Sequence, residues 1–379
     1  MPPTWAGSLA TMHSDRLRRV RTAMADSGID VCLLSVGPDL PWLIGYEAMP
    51  LERLTMLVVP VDDEPTLVVP GLEVPRVEHR PEVFALRGWG ESEDPLDIVA
   101  GLVGPARTAA IGNRTWSQFL VGLQGHLPAA RFSAASDIMG PLRAVKDPAE
   151  LAARRAAGAA VDRIAAELQS GAIALIGRTE AEVSAELGRR ILAEGHHRVN
   201  FAIVAAGENA ASPHHEPGRR VIGPDEVVLC DFGGTMYAEG GAGYCSDITR
   251  CVVTGEPTRE MSEVYAVLLD AQRAAVDAGG VGVACESVDA AARAPITEAG
   301  FGEWFMHRTG HGIGVEEHED PYIVVGNTDR LEVGNVYSVE PGIYLPGRFG
   351  FRLEDIVATS TSGPDPLNHA DHSLVSVDA

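Results

Sequence analysis

Residues 306–321, MHRTGHGIGVEEHEDP, constrain this chain more than any other stretch. The run packs three histidines, four acidic residues and three glycines into sixteen positions. Gly310, Gly312 and Gly314 let the backbone pass close to a neighbour, while His307, His311 and His318 supply imidazole, the commonest metal-binding side chain. Such a run reads as one wall of a metal site. Carboxylates in suitable settings occur elsewhere: Asp231 in CDFGG, Asp247 in GYCSDITR, Glu340 in SVEPGIY and Glu354 in FRLED. Each sits at or beside a short apolar run of β type, at 227–230, 248–253, 336–339 and 349–357. An acid in the apolar half of a strand is costly unless a cation neutralises it.

Composition narrows the partners. A chain of 379 residues, 45% hydrophobic and 22% charged, is globular and long enough for two domains. Its formal net charge of −23 disfavours nucleic acid and anionic membranes as partners. The five cysteines, Cys32, Cys230, Cys245, Cys251 and Cys285, contain no C-x-x-C pair, which argues against both a disulfide framework and a zinc cluster. Cys230 and Cys245 read as buried spectators. With no signal-like start and no apolar run long enough to span a bilayer, a cytoplasmic location is expected. Lys146 is the only lysine, and no Gly-Lys pair exists to form a P-loop.

Residues 14–142 alternate helix-like and strand-like runs, as an α/β domain does. Helices are expected at 14–27, 95–103 and 115–123, and strands at 31–35, 54–60 and 66–70. Glu73, His79 and His126 read as solvated surface. The domain boundary is expected between residues 146 and 147, giving an N-terminal domain over 1–146 and a second over 147–379. Asp147-Pro148 with Glu150 opens one long helix, and Thr179 with Glu182 forms a capping box for another, to about 194. His196 and His197 at its end read as partners of the helix dipole. A strand at 201–206, the acidic strands, helices at 258–277 and 286–299, and the two glutamate strands follow. The order suggests an α+β domain with helices on one side of a mostly antiparallel curved sheet.

Two Asp, two Glu and one His form an oxygen-rich set suited to Mn²⁺, Co²⁺, Fe²⁺ or Zn²⁺, and its four negative charges match two divalent ions rather than one. Two ions about 3.5–4 Å apart can share a hydroxide and polarise a carbonyl, which is chemistry for amide hydrolysis. The spacing between strands is weak evidence by itself; the local text around each residue is stronger. Asp231 in DFGG, Asp247 in SDITR, His311 in HRTGHGIG, His318-Glu319 in HEDP, Glu340 in EPGIY and Glu354 in RLED resemble, in order and context, the pita-bread metallopeptidases of the prolidase and aminopeptidase P group. SPHHEP, at 212–217, resembles that group's histidine motif.

The resemblance implies a C-terminal pita-bread domain behind a smaller α/β companion domain. It also implies a homodimer, and hydrolysis of Xaa-Pro bonds in dipeptides or short peptides by a hydroxide bridging two metal ions, Mn²⁺ first among the candidates. Asp231, Asp247, His311, Glu340 and Glu354 would be the metal ligands. His214 would handle protons at the scissile amide, His318 would meet the oxyanion, and Glu340 would move a proton. His307 and Arg352 would belong to the substrate pocket, with Arg352 either supporting the metal carboxylates or meeting substrate. Tyr244 and Thr249 would support the ligands from behind, and His215 reads as a bystander. Arg352, Arg308 and Arg348 are the candidate clamps for a substrate carboxylate. One departure from the family stands out: Asp247 follows Asp231 by sixteen positions, a longer hairpin than usual, with the extra residues at 236–243 including Glu239. A creatinase-like hydrolase that is not a peptidase, or an inactive binding module on the same fold, are the alternatives; the intact ligand set argues against both.

Overall fold

Short apolar runs separated by turn residues build the first of two units into which the chain divides. The computed structural model describes residues 9–238 and 240–377, so Glu239 lies outside the described residues. One unit runs to Arg143 and takes in Ala238–Gly243; the other comprises Ala144–Tyr237 and the chain from Tyr244 onward.

The first unit holds a six-stranded sheet in the order Ala85–Trp89, Thr66–Pro70, Met56–Pro60, Val31–Leu34, Thr108–Ile111, Arg131–Ala134. Met56–Pro60 is antiparallel to both neighbours, and the other pairings are parallel. Helices Pro95–Val103 and Ser117–His126 pack Val99, Val103 and Leu123 onto Val31, Leu33, Val58 and Ala109. Ser117–His126 begins and ends later than expected. Strands Ala85–Trp89 and Arg131–Ala134 were not legible because they are edge strands with Arg87, Gly88 and Arg131 in place of an apolar alternation. His79 and His126 are surface residues, but Glu73 is buried and accepts a 2.6 Å hydrogen bond from Arg76, a correction to its reading as solvated. Gly240 and Gly241 pass close to Gly45: Gly241 has φ of 86°, and a Cβ there would come to 2.5 Å from Gly45 O.

In the second unit, Pro148–Gln169 starts at a capping box in which Asp147 accepts from Ala149 and Glu150 N–H, and Glu150 accepts from Asp147 N–H. Thr179 and Glu182 do the same for Glu180–Ala193, and Thr258 caps Arg259–Ala278. Such caps are each worth about 1 kcal/mol. One sheet runs Val375–Ser376, Ile248–Val253, Val227–Tyr237, Arg198–Ala206, and a second runs Glu319–Ile323, Gly310–Gly312, Val336–Val339, Asp355–Ser360, Gly363–Pro366. A hairpin of Gly342–Leu345 and Phe349–Arg352 stands apart. The β layer is therefore two sheets and a hairpin rather than the single curved sheet expected. The run 349–357 is split: Phe349–Arg352 belongs to the hairpin and Asp355–Ser360 to the second sheet, with Leu353 and Glu354 at the crossing.

Period-two alternation sorts the first sheet's faces. Val228, Cys230 and Phe232 pack with Val161, Ile164, Val183 and Leu187 of the first two helices. Val227 and Leu229 face a core shared with Val264, Leu268, Val288 and Ala292 of the later two helices. The helices thus serve both faces, not one. Asp231 continues the row of Val227 and Leu229, and Thr249 is its cross-strand partner.

Gly310 and Gly312 admit the backbone of neighbouring strands: a Cβ on Gly310 would overlap Ser338 O, and one on Gly312 would overlap Asp320 O. Gly310→Ala is expected to lower the unfolding free energy by about 3 kcal/mol, read by urea denaturation, because rigid backbone leaves the methyl nowhere to go. A change below about 1 kcal/mol would show that the two strands can part.

Candidate metal centre

Each acidic side chain reaches the site because a regular element ends or bends beside it. Asp231 projects from the middle of Val227–Tyr237, and Asp247 stands just before Ile248–Val253. His311 is the middle residue of Gly310–Gly312, Glu340 follows Val336–Val339, and Glu354 occupies the crossing between hairpin and sheet, bridged to Thr249. All five line one cavity of about 440 Å³, together with His214, His307, His318 and Arg352. Phe201, Ile203 and Pro213 supply its apolar wall, and Arg308 and Glu317 complete it.

Ligand atoms of Asp247, His311 and Glu354, all buried, lie within 4.8 Å of one another. His311 Nε2 is 3.2 Å from Glu340 Oε1 and 3.9 Å from Asp247 Oδ2. The opposite ring nitrogen, Nδ1, lies 3.0 Å from Gly312 O; with the proton there, Nε2 presents its lone pair to the cluster. The carboxylates are held from behind. Arg352 Nη2 donates to Asp231 Oδ2 at 2.5 Å, Thr249 Oγ1 to Glu354 Oε2 at 2.7 Å, and Ser338 Oγ to Glu340 Oε1 at 2.9 Å. Arg352 is buried and donates also to Tyr344 OH, Thr249 Oγ1 and Pro213 O.

Without a cation this assembly is electrostatically strained. Burial, then the charges of Glu354, Asp231 and Glu340, push the Asp247 carboxyl far above the usual range. Burial, then Glu340 and Asp231, do the same to Glu354, and burial raises Asp231 against the opposing Arg352. Burial would raise Glu340 too, but the hydrogen bond and charge of His311 outweigh it and hold the carboxyl at about 2. Asp231 Oδ1 and Asp247 Oδ1 are buried with no hydrogen-bond partner among the described residues. Two orphaned carboxylate oxygens on residues that line one cavity with the His311 imidazole fit divalent cations. The other grouping of potential ligands among the described residues, Asp94, Asp97 and His126, is exposed, and Asp94 serves as a helix N-cap.

The histidines divide into separate roles. His318 stands edge-on to His311, ring centroids 4.1 Å apart, and burial followed by the nearby His311 and Arg308 charges lowers it to about 4, so it is neutral near pH 7. His307 contacts Tyr344 OH through Nε2 at 2.8 Å; no helix joins it to His311. His214 is exposed to the cavity, whereas His215 turns away to Glu180. His196 is buried with Nε2 2.8 Å from Ser246 Oγ, and His197 stacks on Tyr237. Tyr244 OH donates to Glu150 Oε1 at 3.0 Å. Glu319, next to His318, pairs with Lys146 at 2.7 Å in the interior, a role for the only lysine that its sequence context did not signal. All five cysteines are buried and free.

Stability of the metal-free protein follows from the raised carboxyls. The fold keeps protons on Asp247 and Glu354 at pH values where the unfolded chain, with carboxyl pKa values of about 4, has released them. Stability is therefore greatest below about pH 4 in this respect and falls as pH rises through the raised values. Glu340 has the opposite sign, but its window lies below about pH 4. Chelator-stripped protein is expected to melt higher at about pH 5.5 than at about pH 7.5, with a smaller difference in Asp247→Asn. Equal melting temperatures, read by calorimetry, would contradict the strain described.

Comparison with known proteins agrees with this geometry. Residues 151–361 match the model of metallopeptidase family M24, and residues 16–145 match the creatinase/prolidase N-terminal domain. A probable dipeptidase PepE of Mycobacterium tuberculosis is 41% identical over 375 residues, covering 97% of each chain. An Xaa-Pro dipeptidase of Lactobacillus helveticus is 35% identical, covering 96% of this chain and 98% of its own. The crystal structure of dipeptidase PepE from Mycobacterium ulcerans superposes with a TM-score of 0.90 at 40% identity, covering 97% of this chain and 98% of its own.

Proposed function

From a chain that belongs to metallopeptidase family M24, we propose an enzyme that hydrolyses the Xaa-Pro bond of dipeptides with two divalent metal ions, Mn²⁺ the foremost candidate, held by Asp231, Asp247, His311, Glu340 and Glu354. The observation that carries the reading is the pair of buried, unpartnered oxygens, Asp231 Oδ1 and Asp247 Oδ1, in a cavity lined by three non-ligand histidines, His214, His307 and His318. When bound, the ions supply a Lewis acid for the scissile carbonyl and a water-derived nucleophile near neutral pH.

The chain's own groups do the rest. His318, neutral near pH 7, donates a hydrogen bond to the developing oxyanion. Glu340 and His214 carry the proton to the departing proline nitrogen. An Xaa-Pro bond is a tertiary amide with no N–H, so proline is selected by shape, against Phe201, Ile203 and Pro213. Arg352 is committed to Asp231, and Arg348 pairs with Glu260 outside the cavity lining. Arg308 lies in the lining with its guanidinium 4.6 Å over the Tyr322 ring and no carboxylate in salt-bridge range among the described residues. It is the cation left to receive a substrate carboxylate, which favours a dipeptidase over an aminopeptidase. The dipeptidase names of full-length relatives support the same choice. A cytoplasmic homodimer is the proposed setting; free cysteines suit a reducing compartment, and no helix among the described residues is long and apolar enough to cross a membrane.

Substrate length tests this. Ala-Pro is expected to be cleaved at least tenfold more efficiently than Ala-Pro-Ala, and Arg308→Ala to raise KM for Ala-Pro by roughly tenfold or more with a smaller effect on kcat, the loss of a charge-assisted contact worth about 1.5–3 kcal/mol. Faster cleavage of the tripeptide, unaffected by Arg308→Ala, would turn the assignment to an aminopeptidase.

A further inference from the structure

His214 faces the cavity without a hydrogen bond to its ring among the described residues. Its position therefore depends on the backbone on either side. Pro213 O accepts from Arg352 Nη1 at 3.2 Å, which ties the preceding residue to the guanidinium that also holds Asp231. His215 Nε2 lies 2.8 Å from Glu180 Oε2, which ties the following residue to a different element.

Glu180, in the first turn of Glu180–Ala193, is fully buried and gathers the whole loop. Its Oε1 accepts from Ala206 N–H and Asn209 Nδ2, both at 2.9 Å, and its Oε2 accepts from His215 and, at 3.3 Å, from Gly218 N–H. The four donors span the segment from the end of Arg198–Ala206 to the far side of His214. Burial pushes the Glu180 carboxyl up, but hydrogen bonds from Asn209, Ala206, His215 and Gly218 outweigh it and leave it below the ordinary glutamate range. An ionised carboxylate offers acceptors only, which four converging donors require; an amide would turn two N–H groups toward donors.

We propose that Glu180, with His215 as its arm, is a positioning residue for catalysis: it fixes the loop so that His214 meets the substrate nitrogen, without touching substrate or metal. The histidine pair is thereby divided, one ring for chemistry and one as an anchor. This rests on His214 being the proton-handling group.

The test is a double-mutant cycle of Glu180→Gln and His214→Gln on the metal-loaded enzyme, with kcat and KM for Ala-Pro and metal content per chain measured for each. Glu180→Gln is expected to lower kcat by about 10²-fold, the cost of an ångström's misplacement, with KM and metal content little changed. The double variant is expected to match His214→Gln within about twofold, since a misplaced group that is already absent costs nothing more. A double variant whose losses multiply would overturn the proposal, because Glu180 would then act through something other than His214. Native kcat in Glu180→Gln would overturn it as well. Native kcat in His214→Gln would remove its premise and locate the failure in the role given to His214. Should Glu180→Gln fail to fold, His215→Asn, which cuts one arm only, replaces it in the same cycle with the same expectations.

Discussion

Three buried carboxylates and a fourth partly buried one, brought together around one imidazole, with a single guanidinium in contact among the described residues, are the constraint on which the second unit depends. Each ion kept from water costs roughly several kcal/mol, and like charges add to that cost, so the cluster persists only with its supports in place and protons or cations to neutralise it. Arg352, Thr249 and Ser338 hold one oxygen each of Asp231, Glu354 and Glu340. The oxygens left over, Asp231 Oδ1 and Asp247 Oδ1, are the ones a metal would take.

The sheets and the hairpin make this arrangement rigid. Asp231 sits in mid-strand with its face fixed by the pleat, and Thr249 opposite it supports Glu354 across a bridge. Glycines at 310 and 312 bring the His311 strand against the backbones of its neighbours. The two histidines given oxyanion and proton roles in the proposed mechanism are placed differently. His318 is adjacent to Glu319, whose carboxylate is pinned by Lys146, and His214 is adjacent to His215, pinned by Glu180. In both cases the anchored residue is the neighbour, which leaves the histidine ring to face the cavity.

Much of this was legible in the sequence where local chemistry dictates structure. Capping residues at Asp147, Thr179 and Thr258 mark helix starts because orphan N–H groups need acceptors. Acids embedded in apolar strand text marked the candidate ligands, because burying them is costly unless a cation neutralises them. Illegible were features set by distant partners. The course of Asp355, the neighbour of Glu354, is one: it goes to Arg250, Gln272 and His372. Glu180, Lys146 and the burial of Glu73 and His196 depend on partners that no spacing reveals. Arg352 and Arg308 looked alike as clamps until the buried contact to Asp231 separated them.

On the proposed function, the cluster holds two working metal ions. The measurement that tests it most directly is a Mn²⁺ titration of chelator-stripped protein, following bound metal and Ala-Pro hydrolysis together in the native chain and in Asp247→Ala. Activity that returns with bound metal and saturates at about two ions per chain, in the native chain alone, is the predicted result. Hydrolysis by the stripped protein, or full recovery in Asp247→Ala, would contradict it.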